Sequence, residues 1–282
     1  MQEAMDLSEL EGISPEITTE RFSDEGWASI SGHVPSEMDL TIYVNQQELV
    51  TVLCTPVKLN CLVIGFLYDE GIIGGMKDIA SMRVCEDDAL ADVILTRNDF
   101  KAPERRVLTS GCGGGATFKT TGQKVDSSLI ISPQKVLSLM KQFQDRMELY
   151  RACGGVHASA FSDGTKLLVV AEDIGRHNTL DKIQGECLLR GLSTKDGVLL
   201  STGRVSSEML LKAAKMQVPV VVSRTSPTER AVLLAKELGI GLAGYVRASR
   251  MLVYAHPERF GRSTSPFLAD SIRMEQSGRR TH

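Results

Sequence analysis

The chain has 282 residues, enough for one large domain or two of medium size. Its apolar fraction of 42% and charged fraction of 24% are typical of a globular protein. The net charge of -3 argues against binding to nucleic acid, and no apolar run is long enough to span a membrane. The acidic start lacks an apolar core, so we predict no signal peptide and expect a cytoplasmic protein.

The first part of the chain predicts a polar tail and then a small α+β domain. Residues 1–22 are polar and acidic and are expected to form the tail, and residues 23–97 the domain. Pro56 favours a helix that starts there, because proline suits the first helical position. Alternating apolar and polar residues predict strands over 26–54 and near 81–86 and 91–96.

A glycine-rich connection follows this domain. Residues 98–130 form an unusually long connection, and Cys112 stands in its middle with glycines on both sides. Glycine leaves the thiol accessible, so we expect a mobile loop with no regular element and no apolar anchor. Arg105 and Arg106 lie upstream, and positive charge favours the reactive thiolate. The stretch alone leaves two interpretations open, a reactive cysteine and a flexible surface loop that contains one by chance.

The other five cysteines form no recognisable site. They are scattered without any Cys-x-x-Cys pair, which predicts neither a zinc knuckle nor a redox dithiol. Cys61 and Cys187 fall on predicted helices and are expected to pack in the core. Cys153 lies beside two glycines and is a second, weaker candidate for reactivity.

The second part of the chain predicts an α/β domain over 131–261 and a polar tail over 262–282. Strands alternate with helices, and the strands are continuous apolar runs such as 220–222. Both features indicate a mostly parallel sheet with helices on its faces. Ser226 and Glu229 have the spacing of a capping box at the start of one helix.

Three predicted strands end in similar polar segments. In open α/β sheets, ligands bind beyond the carboxyl ends of the strands. Helix N-termini combined with arginines favour phosphate binding, and Tyr245 could stack on a base. The pattern therefore predicts a nucleotide or polyphosphate site. Its residues are Arg204, Ser206, Ser223, Arg224, Tyr245, Arg247 and Arg250. The alternative is that these arginines only keep the loops in solution.

Another dense polar segment, 172–178, follows a predicted buried strand. Asp173 and His177 have side chains suited to acid–base chemistry. A histidine near a helix start more often caps the helix or accepts a hydrogen bond, so we favour that role, or orientation of a substrate, for His177. The roles of Asp173, His177 and His157 stay open.

Five motifs spread over residues 25–260 resemble one known family. They are Thr109–Gly113, Gly155–Ala160, Glu172–Asn178, Ser206–Met209 and Tyr245–Arg250. The family is FdhD, the sulfurtransferases needed for formate dehydrogenase activity. The resemblance implies that Cys112 accepts persulfide sulfur from a cysteine desulfurase and transfers it to the bis-molybdopterin guanine dinucleotide form of the molybdenum cofactor. It also implies that the C-terminal domain has the three-layer cytidine-deaminase fold.

The same resemblance implies binding residues and partners. His177 and the segment 245–250 are expected at the guanine nucleotide of the cofactor. The resemblance therefore adds His177, Val246, Ala248 and Ser249 to the binding residues predicted above. Formate dehydrogenase is the expected client, and a homodimer is allowed. Deaminases need His-x-Glu and Pro-Cys-x-x-Cys for zinc, whereas here Ser159 follows His157 and Ala158, and no Cys-x-x-Cys follows. We therefore expect neither deamination nor protein-bound zinc.

One position departs from the family pattern. Many members have Cys-x-x-Cys in the loop, whereas the second position here is Gly115. A persulfide needs only one carrier sulfur, so a sulfurtransferase with Cys112 as carrier is our first hypothesis. The second is a non-catalytic chaperone that binds the cofactor, with Cys112 dispensable. A third is a nucleotide-binding enzyme unrelated to sulfur, although the loop is not a Walker motif.

Overall fold

The computed structural model describes residues 12–102, 107–108, 116–117 and 123–263. The strands are β1 (Glu16–Ser23), β2 (Gly26–His33), β3 (Met38–Val44), β4 (Gln47–Cys54), β5 (Ile79–Cys85), β6 (Leu90–Leu95), β7 (Val107–Leu108), β8 (Ala116–Thr117), β9 (His157–Ser162), β10 (Leu167–Asp173), β11 (Val198–Ser201), β12 (Val220–Ser223), β13 (Gly241–Arg247) and β14 (Arg250–Ala255). The α-helices are α1 (Leu59–Asp69), α2 (Pro133–Asp145), α3 (Glu148–Cys153), α4 (Arg176–Leu189), α5 (Ser207–Lys215) and α6 (Glu229–Leu238). Short 3-10 helices cover Met76–Asp78 and Pro257–Phe260.

The N-terminal part has a four-stranded sheet in the order β4-β3-β6-β5. β3 and β4 are joined by a tight turn at Asn45 and Gln46, whose φ angles are 48° and 65°. Two successive positive φ angles are the signature of a hairpin turn that matches the twist of the strands. Helix α1 packs on this sheet and is buried along nearly its whole length. The predicted strands of this part are confirmed.

Two predictions for this part are wrong. Residues 16–22 belong to a strand rather than a tail, because β1 pairs antiparallel with β2 along its full length. Its polar, exposed residues hid the alternation that marks a strand. The helix also starts later than predicted. The amide of Val57 donates to the Thr55 carbonyl at 2.7 Å, so the chain turns at Pro56, and Lys58 with φ of 53° precedes the first helical residue.

The C-terminal part has a six-stranded sheet in the order β10-β9-β11-β12-β13-β14. The prediction of a mostly parallel sheet is wrong. Only the β11–β12 and β12–β13 pairings are parallel, and the other three are antiparallel. Short turns join β9 to β10 and β13 to β14, and strands joined by a short hairpin turn must run antiparallel. The sheet is therefore mixed.

This sheet is the middle of three layers. Helices α4, α5 and α6 pack on one face, and α2 packs on the other. Each face is buried under its own apolar cluster, which confirms the α/β class. No helix within the described residues is long and apolar enough to cross a membrane.

The predicted capping box at the start of α6 is wrong. The helix is capped by Thr228, whose hydroxyl accepts from the Ala231 amide at 3.3 Å. The Ser226 carbonyl instead accepts from the Val205 amide at 3.2 Å, and Pro227 forms a parallel bridge with Val205. The extended conformation of this segment delays the helix by two residues.

The two sheets are joined through a contact between α1 and α4. A Cβ atom on Gly65 would lie 1.7 Å from the Asp181 carbonyl oxygen, and one on Gly185 would lie 1.8 Å from the Cys61 carbonyl oxygen. Such distances are far inside van der Waals contact, so only glycine fits at either position. The two helix backbones therefore touch directly.

The glycine-rich connection contains more structure than predicted. β7 and β8 pair antiparallel, with Leu108 opposite Ala116, on either side of residues 109–115. Phe100 is buried in the N-terminal core and Val125 in the C-terminal core, so the prediction that the stretch has no apolar anchor is wrong at its ends. Cys112 itself lies outside the described residues, as do residues 1–11 and 264–282 of the two predicted tails.

Candidate functional site

Most of the predicted site segments lie at one edge of the six-stranded sheet. β10, β11, β12 and β13 end at this edge, and β9 and β14 begin there, because each of these two runs antiparallel to its neighbours. We call it the carboxyl edge. Its segments are His157, Asp173–Asn178, Ser201–Ser206, Ser223–Thr225 and Tyr245–Arg250. The predicted convergence of three strand ends is confirmed.

The loop after β11 provides Arg204 and Ser206. Arg204 is exposed, whereas Ser206 is buried and caps α5 by accepting from the Met209 amide at 3.3 Å. Ser223, at the end of β12, is also buried and donates to the Gly203 carbonyl at 2.7 Å. The two serines thus hold the loops in place, and of this group only the Arg204 guanidinium faces solvent.

The β13–β14 hairpin brings Arg224, Tyr245 and Arg247 together. Arg247 Nη1 donates to the carbonyl oxygens of Arg224 and, at 3.1 Å, Val246. The Tyr245 amide donates to the Thr225 carbonyl at 3.1 Å. Tyr245 has a φ of 50°, a conformation that is uncommon for a tyrosine, and the residue is 45% exposed. The hairpin therefore exposes the Tyr245 and Arg247 side chains at this edge, whereas Arg224 is half-buried.

The other residues of this hairpin differ in exposure. Val246 is fully buried in the core, so its side chain is not part of the edge surface. Ala248, Ser249 and Arg250 are exposed at the turn, and Arg250 is paired with Arg247 across the hairpin. Arg204 lies at the other end of the edge, beside His157.

That end of the edge contains two histidines. A Cβ on Gly203 would lie 3.3 Å from His157 Nδ1 and 3.2 Å from Arg176 Cβ, so these groups are close neighbours. Burial lowers the pKa of His157, and the Arg176 and Arg204 charges lower it further. A neutral imidazole at this position serves as a hydrogen-bonding group rather than a cation.

His177 lies at the first turn of α4. Its Nε2 is 3.2 Å from Glu208 Oε2 and 3.3 Å from Ser206 Oγ. Burial lowers the pKa of His177, and the hydrogen bond to the imidazole lowers the pKa of Glu208. These contacts favour the role predicted for His177, a hydrogen-bonding residue near a helix start.

Asp173 has a structural role. Its carboxylate is fully buried, lies 2.5 Å from Lys182 Nζ, and accepts from the amides of Thr55 at 3.1 Å and Gly175 at 2.7 Å. The Asn178 side chain donates to Asp173 at 2.8 Å and to the Leu53 carbonyl at 2.8 Å. We call this set the joint network, because it links β4 of the first sheet to the turn after β10. Asp173 is thus not available for acid–base chemistry.

The sequence reasoning missed a second buried charge cluster. Lys212 on α5 contacts Asp181 on α4, and its Nζ lies 3.9 Å from Asp69 and 4.0 Å from Glu70. Burial raises the pKa of Asp69 well above its usual range, while the three carboxylates raise the pKa of Lys212. Glu208 was also missed. Glu208 lies four residues before Lys212, so the two side chains lie on one face of α5. This spacing is the signal in the sequence that could have identified both residues as candidates.

Five cysteines lie within the described residues. Burial raises the pKa of Cys54 and of Cys187 to about 12, and also raises the pKa of Cys61. The Cys85 thiol donates to Asp88 Oδ2 at 3.1 Å, and the Cys153 thiol donates to the Leu149 carbonyl at 3.1 Å. The predicted core positions of Cys61 and Cys187 are confirmed, and Cys153 is held by its own helix.

Metal ligands are not clustered in the part of the chain that the structure describes. No group of three or more His, Cys, Asp or Glu side chains there could hold a metal ion. The segments at the carboxyl edge contain hydrogen-bond donors, guanidinium groups and one aromatic ring. Such groups bind anions and flat rings.

Comparisons with known proteins agree with one another. The model of the FdhD/NarQ family matches residues 35–261. The sulfur carrier protein FdhD of Bacillus subtilis (strain 168) is 40% identical over 247 residues, which cover 85% of this chain and 94% of that protein. The protein of the same name from Staphylococcus aureus (strain MRSA252) is 36% identical, with coverage of 85% and 93%. A crystal structure of a formate dehydrogenase accessory protein from Desulfotalea psychrophila has a TM-score of 0.72 and 27% identity, covering 88% of this chain and 99% of that one.

Proposed function

The chain belongs to the FdhD/NarQ family, and from that premise we propose that it is a sulfur carrier serving a formate dehydrogenase. In this proposal, Cys112 accepts sulfane sulfur from a cysteine desulfurase. It then delivers that sulfur to the bis-molybdopterin guanine dinucleotide cofactor, which binds as cargo at the carboxyl edge. The names of the relatives, sulfur carrier protein and formate dehydrogenase accessory protein, support this assignment.

The observation that carries the proposal is the state of the other thiols. Three of the five described cysteines are buried with raised pKa values, and the remaining two thiols donate hydrogen bonds within the protein. A sulfur carrier needs an accessible thiolate as its nucleophile. The sixth cysteine, Cys112, stands among glycines with arginines upstream. Cys112 is therefore the residue best suited to accept sulfur.

The loading step is thiol–disulfide exchange. The Cys112 thiolate attacks the outer sulfur of the persulfide on the desulfurase. A bond forms between Cys112 Sγ and that sulfur, the sulfur–sulfur bond of the donor breaks, and the donor cysteine leaves as a thiolate. The step transfers one sulfur atom without any external oxidant or reductant. It takes place in the cytoplasm in this proposal, where thiols stay reduced.

The carboxyl edge provides groups suited to the nucleotide ends of the cargo. Arg204, Arg224, Arg247 and Arg250 can donate charge-assisted hydrogen bonds to phosphates. Tyr245 is exposed at the same edge, where its ring can stack on guanine. His177 and Ser206 lie deeper and orient neighbouring groups. The strand order, with an antiparallel hairpin beside a parallel centre, also supports our assignment of the domain to the cytidine-deaminase-like fold.

Mass spectrometry tests the loading step. The chain is incubated with a cysteine desulfurase and cysteine, and peptides are examined for one added sulfur atom. We expect the modification on Cys112, unchanged in the Cys153→Ala and Cys85→Ala variants. Loading of Cys153 in the wild type, or no loading of Cys112, would show that the carrier assignment is wrong.

A second candidate is a cofactor-binding chaperone in which Cys112 is dispensable. The observation that favours it is Gly115, at the position where the family pattern implied by the resemblance has a second loop cysteine. Maturation of the client formate dehydrogenase separates the two functions. If the chain is a sulfur carrier, the Cys112→Ala variant should bind guanine nucleotide normally and fail to mature the client. A chaperone predicts that the same variant matures the client at the wild-type rate.

A further inference from the structure

Helices α4 and α5 contact each other through two polar pairs, one turn apart. Near the carboxyl edge, His177 Nε2 of α4 lies 3.2 Å from Glu208 Oε2 of α5. Deeper in the protein, Asp181 of α4 contacts Lys212 of α5. Residues four apart lie on the same face of a helix, so the two pairs are stacked along the contact. We call these four residues the charge column.

The Lys212 charge is already balanced at the inner end of the charge column. Its Nζ contacts Asp181 and lies 3.9 Å from Asp69 Oδ2 and 4.0 Å from Glu70 Oε1, and all three carboxyl groups are almost fully buried. Burial raises the pKa of Asp69, which keeps a proton on it, so two negative charges face one ammonium group. The Glu208 carboxylate at the outer end is therefore left to stabilise a second cation.

Burial and neighbouring cations keep His177 neutral in the free protein. Burial lowers its pKa, the hydrogen bond to Glu208 raises the pKa, and the Lys212 and Arg176 charges lower it. The ring also lies where two helices begin, because His177 is the second residue of α4 and Ser206 caps α5. The N-termini of helices have partial positive charge, which opposes an imidazolium. An anion bound at this end of the edge offsets Arg176 and both helix ends.

The other histidine at this end is less suited to hold a proton. Burial and nearby cations, Arg204 among them, lower the pKa of His157. A charge on His177 lowers it further, so the two rings do not both become charged. Asp173, the carboxylate near His157, is already paired with Lys182 at 2.5 Å. His177, with Glu208 as its partner, is therefore the better proton acceptor.

We propose that His177 takes up a proton when an anionic group of the cargo binds beside Arg204, so that the bound state has an imidazolium between Glu208 and the anion. The inference rests on the proposed function, which brings the phosphates to the carboxyl edge. Arg204 lies two residues before Ser206, whose Oγ is 3.3 Å from His177 Nε2. An ionised Glu208 can only accept, so the neutral ring has its hydrogen on Nε2 and the added proton goes to Nδ1.

Calorimetric titration in buffers of different ionisation enthalpy counts the protons taken up with each guanosine diphosphate (GDP). The phosphate of GDP also titrates, with a pKa of about 6, so the wild type is compared with His177→Gln. At pH 7.5, we expect the wild type to take up as much as about one proton more than the variant, and its GDP affinity to fall up to about tenfold more per pH unit. Equal proton numbers in the two proteins would overturn the inference.

Three further variants identify the groups involved. Glu208→Gln keeps the size of the side chain and removes its charge, so we expect most of the extra proton uptake to disappear although His177 is present. His256→Gln is the matched control, because His256 Nδ1 lies 2.7 Å from Glu258 Oε1 at the opposite edge of the sheet. It should take up protons like the wild type. If His157→Gln abolishes the uptake and His177→Gln does not, the assignment to His177 is wrong.

Nuclear magnetic resonance follows the proton in the wild type without any substitution. The chain has five histidines, few enough for each imidazole signal to be followed. We expect one signal to move to the imidazolium position when GDP is added at pH 7.5. If GDP binds and no histidine signal moves, the inference fails and the proposed function stands. If GDP does not bind at all, the nucleotide site at the carboxyl edge is wrong, and the inference fails with it.

Discussion

The turn after β10 and the β13–β14 hairpin lie at the same sheet edge, and both are rich in polar side chains. In the first, the Asp173 carboxylate is buried and bonded to Lys182, Thr55 and Gly175. In the second, Arg247 and Arg250 are exposed, and the only bonds described for the Arg247 guanidinium go to backbone carbonyls. One segment holds the protein together, and the other presents cations to solvent.

The difference shows that density of polar residues does not identify a ligand site. A buried polar group must be paired inside the protein, because an unpaired one costs free energy. An exposed cation stays hydrated until a ligand replaces the water around it. Removing residues from the first segment should therefore affect folding, and removing residues from the second should affect binding.

Breaking the joint network should have the largest effect. Lys182→Met leaves the Asp173 carboxylate buried without its cation, and we expect a loss of about 3–5 kcal/mol in the free energy of unfolding. Urea denaturation measures it. Lys58→Met is the control, because its pair with Glu186 at 2.6 Å is partly exposed and such pairs contribute about 1 kcal/mol or less. Equal losses in the two variants would contradict the assignment of Asp173 to a structural role.

Removing a guanidinium from the hairpin should affect binding alone. We expect Arg247→Ala to weaken GDP binding by about 1.5–3 kcal/mol, the range for a hydrogen bond to a charged group. The free energy of unfolding should change by about 0.5 kcal/mol or less, as for other surface substitutions. Calorimetric titration measures the affinity. Arg230→Ala, an exposed arginine on α6, is the control. If Arg247→Ala bound GDP with wild-type affinity, the nucleotide would not bind at this hairpin.

The cap of α6 gives a smaller effect on stability. Thr228→Ala removes the hydroxyl that accepts from the Ala231 amide, and we expect a loss of about 1 kcal/mol. Ser226→Ala should change stability by about 0.5 kcal/mol or less, because only the Ser226 backbone bonds in this segment. Thermal or urea denaturation of the two variants distinguishes the observed cap from the capping box that the sequence suggests.

The smallest effect is on the pH dependence of stability. Burial lowers the pKa of His157 and His177 below the ordinary value of 6.5, so unfolding adds protons as the pH falls past that value. The two neutral histidines contribute their full stabilisation above pH 6.5. This stabilisation is lost as the pH falls from 6.5 through the lowered pKa values of the folded protein. A His157→Gln, His177→Asn double variant should therefore show a shallower loss between pH 6.5 and 5. An unchanged slope would mean that neither histidine stays neutral in the folded protein.

Local features of the fold could be predicted from the sequence. Apolar runs and periodicity identified strands of both sheets. Errors arose where one signal had two structural meanings. Pro56 suits a first helical turn and equally a tight turn, and the chain adopts the second. The polar residues of β1 suit a tail and equally a strand exposed on both faces.

The candidate site was predictable in position and not in detail. The strand ends had to meet because parallel strands place their carboxyl ends at one edge. The role of Asp173 was not predictable, because its partner Thr55 lies 118 residues away in sequence. Neither was the burial of Ser223 and Val246, which depends on how neighbouring loops cover them. Polar residues that look alike in the sequence thus differ in role only because the fold buries some of them and exposes others.

Because the backbones of α1 and α4 touch at Gly65 and Gly185, no layer of side chains separates the two helices at these positions. Sliding of packed helices, the usual way for domains to shift by shear, relies on such a layer. The amides of both helices should therefore exchange with solvent deuterium only when the whole protein opens. Any conformational change must therefore arise outside this helix pair, while the two sheets move as one body.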